Sequence, residues 1–354
     1  MSKFWSSLAR QVNPYIPGEQ LNDETIIKLN TNENPYPPSN QVIQAIDKES
    51  KNLRLYPSPT IDELRSEIGN MYGLSQDHIF IGNGSDEVLA FSFMSFFEPG
   101  KRIKYPEITY SFYPVYAKLF NISFEQIQLN DDYTIPVEHF YDSDGGLIFP
   151  NPNAPTGIYL ELEEIKRIIE NNPNHVVIID EAYIDFAKES AVSLIDTFPN
   201  LLVIQTMSKS RSLAGLRIGF AIGNPELIKG LERIKNSFNS YTVDRLAIAG
   251  AIEAIKDNKY FQQTTSKIIE SRSYLKKQLE ARHFDILPSQ ANFFLVSHKE
   301  VNAEILYQEL KKQGILVRYF QKPGLENFLR ISIGTPEQID KLLKKIDHII
   351  KPSP

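Results

Sequence analysis

A group of hydroxyl and basic side chains follows an apolar run in the middle of the chain. The run, residues 201–204, has the length and composition of a buried strand. Behind it come Thr206, Ser208, Lys209 and Arg217. Such a charged run is often a solvated loop, but at a strand end it also predicts an anion site. A lysine beside other cations is driven toward its neutral form, so Lys209 is a candidate nucleophile.

A glycine turn before a helix is a second candidate for anion binding. An apolar strand at 79–81 leads into Gly82-Asn-Gly84, and a helical pattern begins near Ser85 and Asp86. Free N–H groups and the helix dipole at such a start bind phosphate groups. The turn lacks the lysine of a Walker loop and the spacing of a dinucleotide motif. By itself it is therefore a weak signal.

An acidic residue ends a further apolar run. Residues 176–179 are β-branched throughout, and Asp180 follows them. An unpaired carboxylate at the end of a buried strand is costly, so Asp180 is expected to meet a cation. Tyr183 adds a phenol, and Tyr110, which follows another strand, adds an aromatic face.

One small molecule would use all of these groups. Pyridoxal 5′-phosphate carries a phosphate, a phenolic oxygen, an aldehyde and a basic ring nitrogen. Thr206, Ser208 and Arg217 would surround the phosphate together with the glycine turn. Lys209 would form a Schiff base with the aldehyde. Asp180 would keep the ring nitrogen protonated, so that the ring can accept electrons from a substrate carbanion.

These residues follow successive strands of one predicted sheet. Apolar, β-branched runs alternate with helical patterns between about residues 79 and 222. Such alternation is typical of a parallel sheet covered by helices on both faces. In these sheets ligands bind beyond the carboxyl ends of the strands. The predicted fold class is therefore α/β, with a mostly parallel central sheet.

The chain divides into three predicted regions. Residues 1–38 form a proline-rich arm that cannot hold a long helix. Residues 39–245 form the large cofactor domain. Residues 246–354 form a smaller α+β domain that packs with the arm. Within the large domain, Thr60 and Glu63 match a capping box and predict a helix start at that point.

Composition narrows the class of protein. The 354 residues are 42% apolar and 23% charged, an ordinary globular balance, and the net charge of −6 disfavours a nucleic-acid partner. The absence of cysteine excludes disulfides and thiolate metal sites, and the six histidines show no metal-binding spacing. Without a signal peptide or a long apolar segment, we expect a cytoplasmic protein with no membrane contact and no metal.

The order of these motifs resembles the fold-type I aminotransferases and, among them, the histidinol-phosphate aminotransferases. The lysine and Asp-Glu-Ala-Tyr motifs are specific for the superfamily and less so for the substrate. The matching segments span essentially the whole chain and begin at Leu29 (Leu-Asn-Thr-Asn-Glu-Asn-Pro), Tyr56 (Tyr-Pro-Ser-Pro), Gly84 (Gly-Ser-Asp-Glu), Asp180 (Asp-Glu-Ala-Tyr), Ser208 (Ser-Lys-Ser-Arg-Ser-Leu-Ala-Gly-Leu-Arg) and Leu329 (Leu-Arg-Ile-Ser-Ile-Gly).

The resemblance implies a role for each cofactor-binding residue. Lys209 is the Schiff-base lysine and moves the proton between substrate and cofactor. Asp180 pairs with the pyridinium, Tyr183 bonds the phenolic oxygen and Tyr110 stacks on the ring. The cofactor phosphate is held by the backbone amides of Ser85 and Asp86, the side chains of Thr206, Ser208 and Arg217, and Tyr56 of a second subunit. The site would therefore need a homodimer.

The resemblance also implies a substrate and a reaction. Arg330 would clamp the α-carboxylate of the substrate bidentately. Tyr15, Asn32 and Arg318 would lie near its distal, phosphate-bearing end. The implied reaction is transamination of L-histidinol phosphate with 2-oxoglutarate in histidine biosynthesis, with donor and acceptor using the same site in turn.

Two positions are left open. The family usually has an asparagine directly before Pro-Thr-Gly, where it bonds the phenolic oxygen, but this chain has Ala154 there and Asn153 one residue earlier. Either Asn153 takes over through a shifted backbone, which we favour, or Tyr183 holds that oxygen without it. Arg211, close to Lys209, is either a further cation of the site or a solvent-facing loop residue.

Three other functions fit parts of the pattern. A threonine-phosphate decarboxylase would use the same cofactor and differ in how the substrate carboxylate lies against the ring. An aromatic amino-acid aminotransferase would differ in the substrate pocket. A non-catalytic regulatory protein would usually carry a DNA-binding module, for which residues 1–38 leave no room.

Overall fold

A computed structural model describes residues 2–20, 23 and 25–350 of the chain. The predicted arm and small domain therefore each include positions outside the described residues, namely 1, 21, 22, 24 and 351–354. Within the described part the α-helices are α1 (Ser7–Gln11), α2 (Asn40–Ser50), α3 (Asp62–Tyr72), α4 (Gly84–Phe96), α5 (Tyr113–Leu119), α6 (Leu162–Glu170), α7 (Pro225–Phe238), α8 (Arg245–Lys256), α9 (Asn258–Glu280), α10 (Ala303–Lys312) and α11 (Pro336–Ile350).

Three sheets organise the strands. The strands are β1 (Ile27–Lys28), β2 (Ile79–Asn83), β3 (Arg102–Pro106), β4 (Ser123–Ile127), β5 (Leu147–Pro150), β6 (Val177–Asp180), β7 (Leu201–Thr206), β8 (Ile218–Gly223), β9 (Phe284–Ile286), β10 (Phe293–His298), β11 (Ile315–Leu316), β12 (Arg318–Tyr319) and β13 (Leu329–Ser332). The central sheet has the order β2-β8-β7-β6-β5-β3-β4. Its strands β3 to β7 pair in parallel, whereas β8 is antiparallel to both of its neighbours. The predicted mostly parallel sheet is confirmed.

Strand β4 is absent from the sequence prediction. Three of its five residues are exposed and only Ile127 is buried, because the strand lies at the edge of the sheet. It therefore lacks the continuous apolar run by which the inner strands were predicted. By contrast, all residues of β5, β6, β7 and β8 are buried.

The start of α3 differs from the capping box that the sequence predicts. The residue before the helix is Ile61, with a φ of 53°, and its side chain provides no cap. The Thr60 hydroxyl donates to Asp62 Oδ2 at 2.6 Å instead of accepting from the first turn. The prediction was wrong because the left-handed turn at Ile61 places Thr60 one position too early.

The arm and the last third of the chain form the smaller body. Strand β1 pairs in parallel with β11, and Leu29 beyond it is buried in the core of this body. A second sheet in the order β12-β13-β10-β9 is antiparallel throughout. The arm is thereby carried to the carboxyl ends of the central strands.

Helix α8 belongs by its packing to the large domain. It contacts α2 and α3, and its buried residues join the same core cluster as β2 and β6. The predicted boundary at residue 246 stays a prediction, and this packing is a reason to propose a boundary after Lys256 instead. No helix in the described part of the chain is both long and apolar enough to cross a bilayer.

Candidate active site

Lys209 lies in the loop between β7 and β8, two antiparallel neighbours of the seven-stranded sheet. Its Nζ donates to the Thr31 carbonyl at 3.1 Å and lies 5.9 Å from the ring centre of Tyr183. In residues 2–20, 23 and 25–350, no carboxylate lies within 4 Å of this amine. Its partner is thus a neutral oxygen on the arm, which leaves the amine free to exchange partners.

Asp180 ends β6 and is buried. Its carboxylate accepts from the Tyr113 hydroxyl at 2.9 Å and from the Ala182 amide at 3.2 Å. Burial raises the pKa of Asp180 to about 6, and these hydrogen bonds oppose the rise. Across the described residues no basic group pairs with it within 4 Å. A protonated ring nitrogen is the kind of cation that such a carboxyl would hold.

An anion cradle forms where β8 meets the start of α4. A Cβ on Gly219 would lie 2.2 Å from the Ser85 amide nitrogen, so strand and helix start touch through backbone alone. Gly84 has a φ of 81°, and a Cβ there would lie 2.4 Å from Arg217 Nη2. The guanidinium is thus held against the helix N-terminus, where the dipole favours an anion.

Further groups complete this cradle. Arg217 Nη2 lies 3.0 Å from Asp86 Oδ2, and the Tyr110 hydroxyl donates to Asp86 Oδ1 at 2.7 Å. The hydroxyls of Thr206 and Ser208, at the end of β7, are 3.0 Å apart. A dianion at this point would find one cation, two hydroxyls and the free amides of a helix start.

One cavity collects these groups. It is lined by Ser85, Asp86, Tyr110, Pro150, Ala154, Asp180, Ala182, Tyr183, Thr206, Ser208, Lys209 and Arg217. Except for Asn153 and Tyr56, every cofactor-binding residue predicted from the sequence lines it. The buried carboxyl without a cation, the anion cradle and the amine fit the ring nitrogen, phosphate and aldehyde of pyridoxal 5′-phosphate.

Asn153 does not line the cavity. Its side-chain amide donates to the Ile108 carbonyl at 3.0 Å and to Thr156 Oγ1 at 3.2 Å. These bonds hold it against residues that do not line the cavity. Ala154 stands at the wall instead, without a polar side chain. The geometry therefore does not support the expectation that Asn153 replaces the missing asparagine.

Two arginines face each other at the small-domain side. Arg318 on β12 and Arg330 on β13 are paired residues of adjacent antiparallel strands, and each guanidinium carbon lies 5.6 Å from the ring centre of Phe320. Arg330 Nη2 donates to the Asn30 carbonyl at 2.9 Å, while its Nε is buried and has no partner among the described residues. Burial lowers the pKa of Arg330, and the charge of Arg318 lowers it further.

Tyr15 lies close enough to this arginine pair to feel both charges, and its expected place at the distal end of the substrate stays a prediction. Its ring stacks on Phe112 with centres 4.3 Å apart, and burial raises the pKa of its phenol against the opposing charges of Arg318 and Arg330. Asn32 lies elsewhere. Its side-chain amide donates to the Tyr183 hydroxyl at 3.0 Å, so it contacts the cofactor end of the cavity and not the distal end predicted for it.

Tyr56 does not reach the cavity of its own chain. Its side chain is 78% exposed and stacks on Tyr241 with ring centres 4.8 Å apart. Its expected part in the site of a second subunit stays a prediction.

Arg211 is half-buried and does not line the cavity. Its guanidinium lies 4.1 Å from the ring centre of Phe261 and donates to the Ala254 carbonyl at 2.6 Å. Burial lowers its pKa. It joins the lysine loop to α8 and α9, and these contacts support neither of the two expected roles, a further cation of the site or a solvent-facing loop residue.

Sequence reasoning missed two groups of the site. Tyr113 holds the Asp180 carboxyl, and the only signal was its position three residues after Tyr110. The Thr31 carbonyl holds Lys209, and backbone atoms of an arm leave no trace in sequence.

Comparison with known proteins identifies the class. The family model of class I and II aminotransferases matches residues 24–346, and the chain belongs to this family. Its members depend on pyridoxal 5′-phosphate, so the predicted enzyme class and cofactor are confirmed.

Particular relatives narrow this class. The chain is 89% identical to histidinol-phosphate aminotransferase 1 of Oceanobacillus iheyensis over 354 residues, the full length of both chains. It is 54% identical to the histidinol-phosphate aminotransferase of Clostridium beijerinckii, covering 99% of this chain and 98% of the relative. The resemblance predicted from the sequence is confirmed.

A solved structure supports the fold class. The histidinol-phosphate aminotransferase from Sinorhizobium meliloti, in complex with pyridoxal 5′-phosphate, superposes with a TM-score of 0.90 at 22% identity. The match covers 99% of this chain and 98% of that chain. At this identity the likeness establishes the fold alone.

Proposed function

We propose that this protein transfers the amino group of L-histidinol phosphate to 2-oxoglutarate in histidine biosynthesis. The names of the relatives at 89% and 54% identity support the substrate. The arrangement of Arg318 and Arg330 is the single structural observation that carries the proposal.

Two like charges on directly opposed residues of adjacent strands destabilise a sheet. Arg318 and Arg330 form such a pair, and in the described parts of the chain neither has a carboxylate within 4 Å. Within the described residues, Arg318 makes only long hydrogen bonds of 3.4 Å, to the carbonyls of Ile16 and Pro17. A bound anion would offset this repulsion, and a dianion would offset it best.

The chemistry of both substrates fits this pair. L-Histidinol phosphate carries its phosphate ester beside the amine-bearing carbon, at the end where an amino acid carries its carboxylate. Arg330 and Arg318 would therefore bind that phosphate together in one half of the reaction, which replaces the expectation that Arg330 clamps an α-carboxylate while Arg318 lies at a separate distal phosphate. In the other half they would bind the carboxylates of 2-oxoglutarate, through the charge-assisted bonds that guanidinium groups make with such anions. One site thus serves both partners in turn.

The residues around the cofactor ring have proposed tasks. Bound pyridoxal 5′-phosphate supplies an electron sink next to the amine-bearing carbon of the substrate. Asp180 keeps a proton on the ring nitrogen, and Tyr183 bonds the phenolic oxygen. Lys209 would hold the cofactor at its aldehyde carbon, and the Lys209 Nζ would take the proton from the amine-bearing carbon of the substrate. Tyr110 covers one face of the ring.

We also propose that the active form is a homodimer. The exposed Tyr56, which lies outside the cavity of its own chain, would reach the phosphate cradle of a second subunit. The cradle within one chain has a single cation, Arg217, so a further hydroxyl from the partner fits a dianion.

Steady-state kinetics with matched substrates test the role of the arginine pair. The rate of glutamate formation from 2-oxoglutarate is measured with L-histidinol phosphate, L-histidinol and L-phenylalanine. We expect kcat/KM for L-histidinol phosphate to exceed that for L-histidinol by about 100-fold or more, the effect of losing charge-assisted bonds to two arginines. Arg318→Ala should reduce this ratio. Equal values for the two substrates, or a preference for L-phenylalanine, would reject the proposal.

A further inference from the structure

Asn32 is held in an unusual conformation at the edge of the cavity. Its φ of 58° lies in the left-handed region, and its side chain is buried, with 1% of the residue exposed. Asparagine, aspartate and glycine are the residues that adopt this conformation at least cost. A buried amide in such a backbone is held in a single position, so what it contacts matters.

Every polar group of Asn32 is hydrogen-bonded. Its backbone amide donates to Ser332 Oγ at 2.9 Å, and its carbonyl accepts from Asn292 Nδ2 at 2.9 Å. The Ser332 hydroxyl donates to Asn32 Oδ1 at 2.9 Å and makes no other bond as donor in the described part of the chain. This bond sets the orientation of the side-chain amide, so its NH₂ group faces Tyr183.

The amide bond determines what the phenol of Tyr183 can do. Asn32 Nδ2 donates to the phenol oxygen at 3.0 Å, and across residues 2–20, 23 and 25–350 that phenol makes no other hydrogen bond. With one lone pair engaged by Asn32, the phenolic proton remains available for an acceptor in the cavity. Ala154, at the wall of the same cavity, offers no side-chain donor.

Neighbouring residues of the arm fix the position of Asn32. The Thr31 carbonyl accepts from Lys209 Nζ, and the Asn30 carbonyl accepts from Arg330 Nη2 at 2.9 Å. Three successive residues thus contact the lysine, the arginine and the tyrosine of the site. A shift of Asn32 along the arm would break the other two contacts.

We infer that Asn32 is a positioning residue that turns the proton of Tyr183 into the cavity, toward the phenolic oxygen of the cofactor. The inference rests on the proposed role of Tyr183. In this view the arm supplies the side-chain amide that is missing at position 154. The amide acts on Tyr183 and does not contact the cofactor itself.

A double-mutant cycle between Asn32→Asp and Tyr183→Phe tests the inference. The readout is the pH midpoint of the visible absorption change of each holoenzyme. A donor to the phenolic oxygen withdraws negative charge, which lowers the pKa of the nitrogen between lysine and cofactor. Aspartate also adopts the left-handed backbone conformation, but its carboxylate can only accept hydrogen bonds. In Asn32→Asp the Tyr183 hydroxyl would therefore donate to this carboxylate instead of to the cofactor. We expect both single variants to raise the midpoint by about one pH unit.

The double variant distinguishes the possible results. If Asn32 acts through Tyr183, Asn32→Asp adds no further shift to Tyr183→Phe. Asp180, Lys209 and Arg330 face the same space in all four proteins, so their influence cancels from the cycle. The inference about Asn32 would be overturned if the two shifts were additive. It would also be overturned if Asn32→Asp kept the wild-type midpoint while Tyr183→Phe raised it. Neither result would affect the proposed role of Tyr183. A wild-type midpoint in Tyr183→Phe would overturn the role of Tyr183 as well.

Two more variants separate donor, charge and fold. Asn34→Asp adds the same charge to the same segment, where its amide bonds the Ser210 carbonyl and not Tyr183. Its midpoint is expected to stay close to that of the wild type. Asn32→Gly keeps the backbone conformation and adds no charge, so it replaces Asn32→Asp if circular dichroism shows that the aspartate variant is unfolded. It is expected to give a smaller upward shift that vanishes in Tyr183→Phe; a midpoint equal to wild type would again overturn the inference.

Discussion

Two acidic residues stand side by side at the end of β6, and their surroundings give them different tasks. Asp180 opens into the cavity and has no cation in the described part of the chain. Glu181 points away from it and accepts from Ser190 Oγ at 2.5 Å, the Ala191 amide at 2.7 Å and Gln205 Nε2 at 2.9 Å. The Asp180 carboxyl is available to bind the cofactor, whereas the Glu181 carboxyl joins β6 to β7 and to the segment after residue 189.

The buried Glu181 makes stability depend on pH. Burial raises the pKa of Glu181 from 4.5 to about 7. Because the folded protein holds this proton more tightly than the unfolded chain, the stabilising effect is complete below pH 4.5 and is lost as the pH rises through about 7. Glu181→Gln has no such proton. We expect the unfolding free energy of the wild type, relative to this variant, to fall by about 3 kcal/mol between pH 5 and pH 8.

Urea unfolding of both proteins at several pH values, at one protein concentration, measures this difference. Glu226→Gln, at an exposed ion pair, is the matched control for the loss of one carboxylate. A difference between wild type and Glu181→Gln that does not change with pH would contradict the account.

At the scale of elements, the site depends on the contact between β8 and the start of α4. A Cβ on Gly219 would lie 2.2 Å from the Ser85 nitrogen and 2.3 Å from the Gly84 carbonyl carbon, both backbone atoms that cannot turn aside. Gly219→Ala should therefore push the helix start away from Arg217 and weaken cofactor binding at least about tenfold.

Titration of the apoprotein with pyridoxal 5′-phosphate, followed by absorption, measures that affinity. Gly223→Ala on the same strand is the matched control, because the nearest atom to its Cβ is in the flexible side chain of Leu202. Native-like affinity in Gly219→Ala would show that the close contact does not shape the cradle.

Sequence predicted the strands β2, β5, β6, β7 and β8 because each contains a continuous apolar run. It also placed Asp180 and Lys209 together, since parallel strands bring their carboxyl ends to one edge. The antiparallel direction of β8 was not predictable, because a local run encodes a strand but not its partner. The bond between Asn32 and Tyr183 joins residues 151 positions apart, and that between Asn32 and Ser332 spans 300 positions. Such contacts form only when the arm packs on the rest of the folded chain, so no local sequence pattern predicts them.

At the scale of the whole molecule, the proposed homodimer divides the site between two chains. Each chain would supply Lys209 to its own cavity and Tyr56 to that of its partner. A subunit with Lys209→Ala and one with Tyr56→Ala would then complement each other, because the mixed dimer contains one site with both residues intact.

Subunit mixing tests this arrangement. Lys209→Ala alone should show no turnover while it keeps its fold by circular dichroism. After dissociation and reassociation of equal amounts, we expect activity to rise to about a quarter of the wild type, since about half of the dimers are mixed and each has one complete site. Activity equal to the mean of the two separate variants would place Tyr56 outside the partner's site.

The proposed substrate is tested most directly by the first half of the reaction, without an amino acceptor. The holoenzyme is mixed in turn with L-histidinol phosphate, O-phosphothreonine and L-phenylalanine, and conversion of the cofactor to its pyridoxamine form is followed by absorption. We expect L-histidinol phosphate to convert the cofactor fastest, with no carbon dioxide released from any of the three. Faster conversion by L-phenylalanine, or release of carbon dioxide from O-phosphothreonine, would contradict the proposed function.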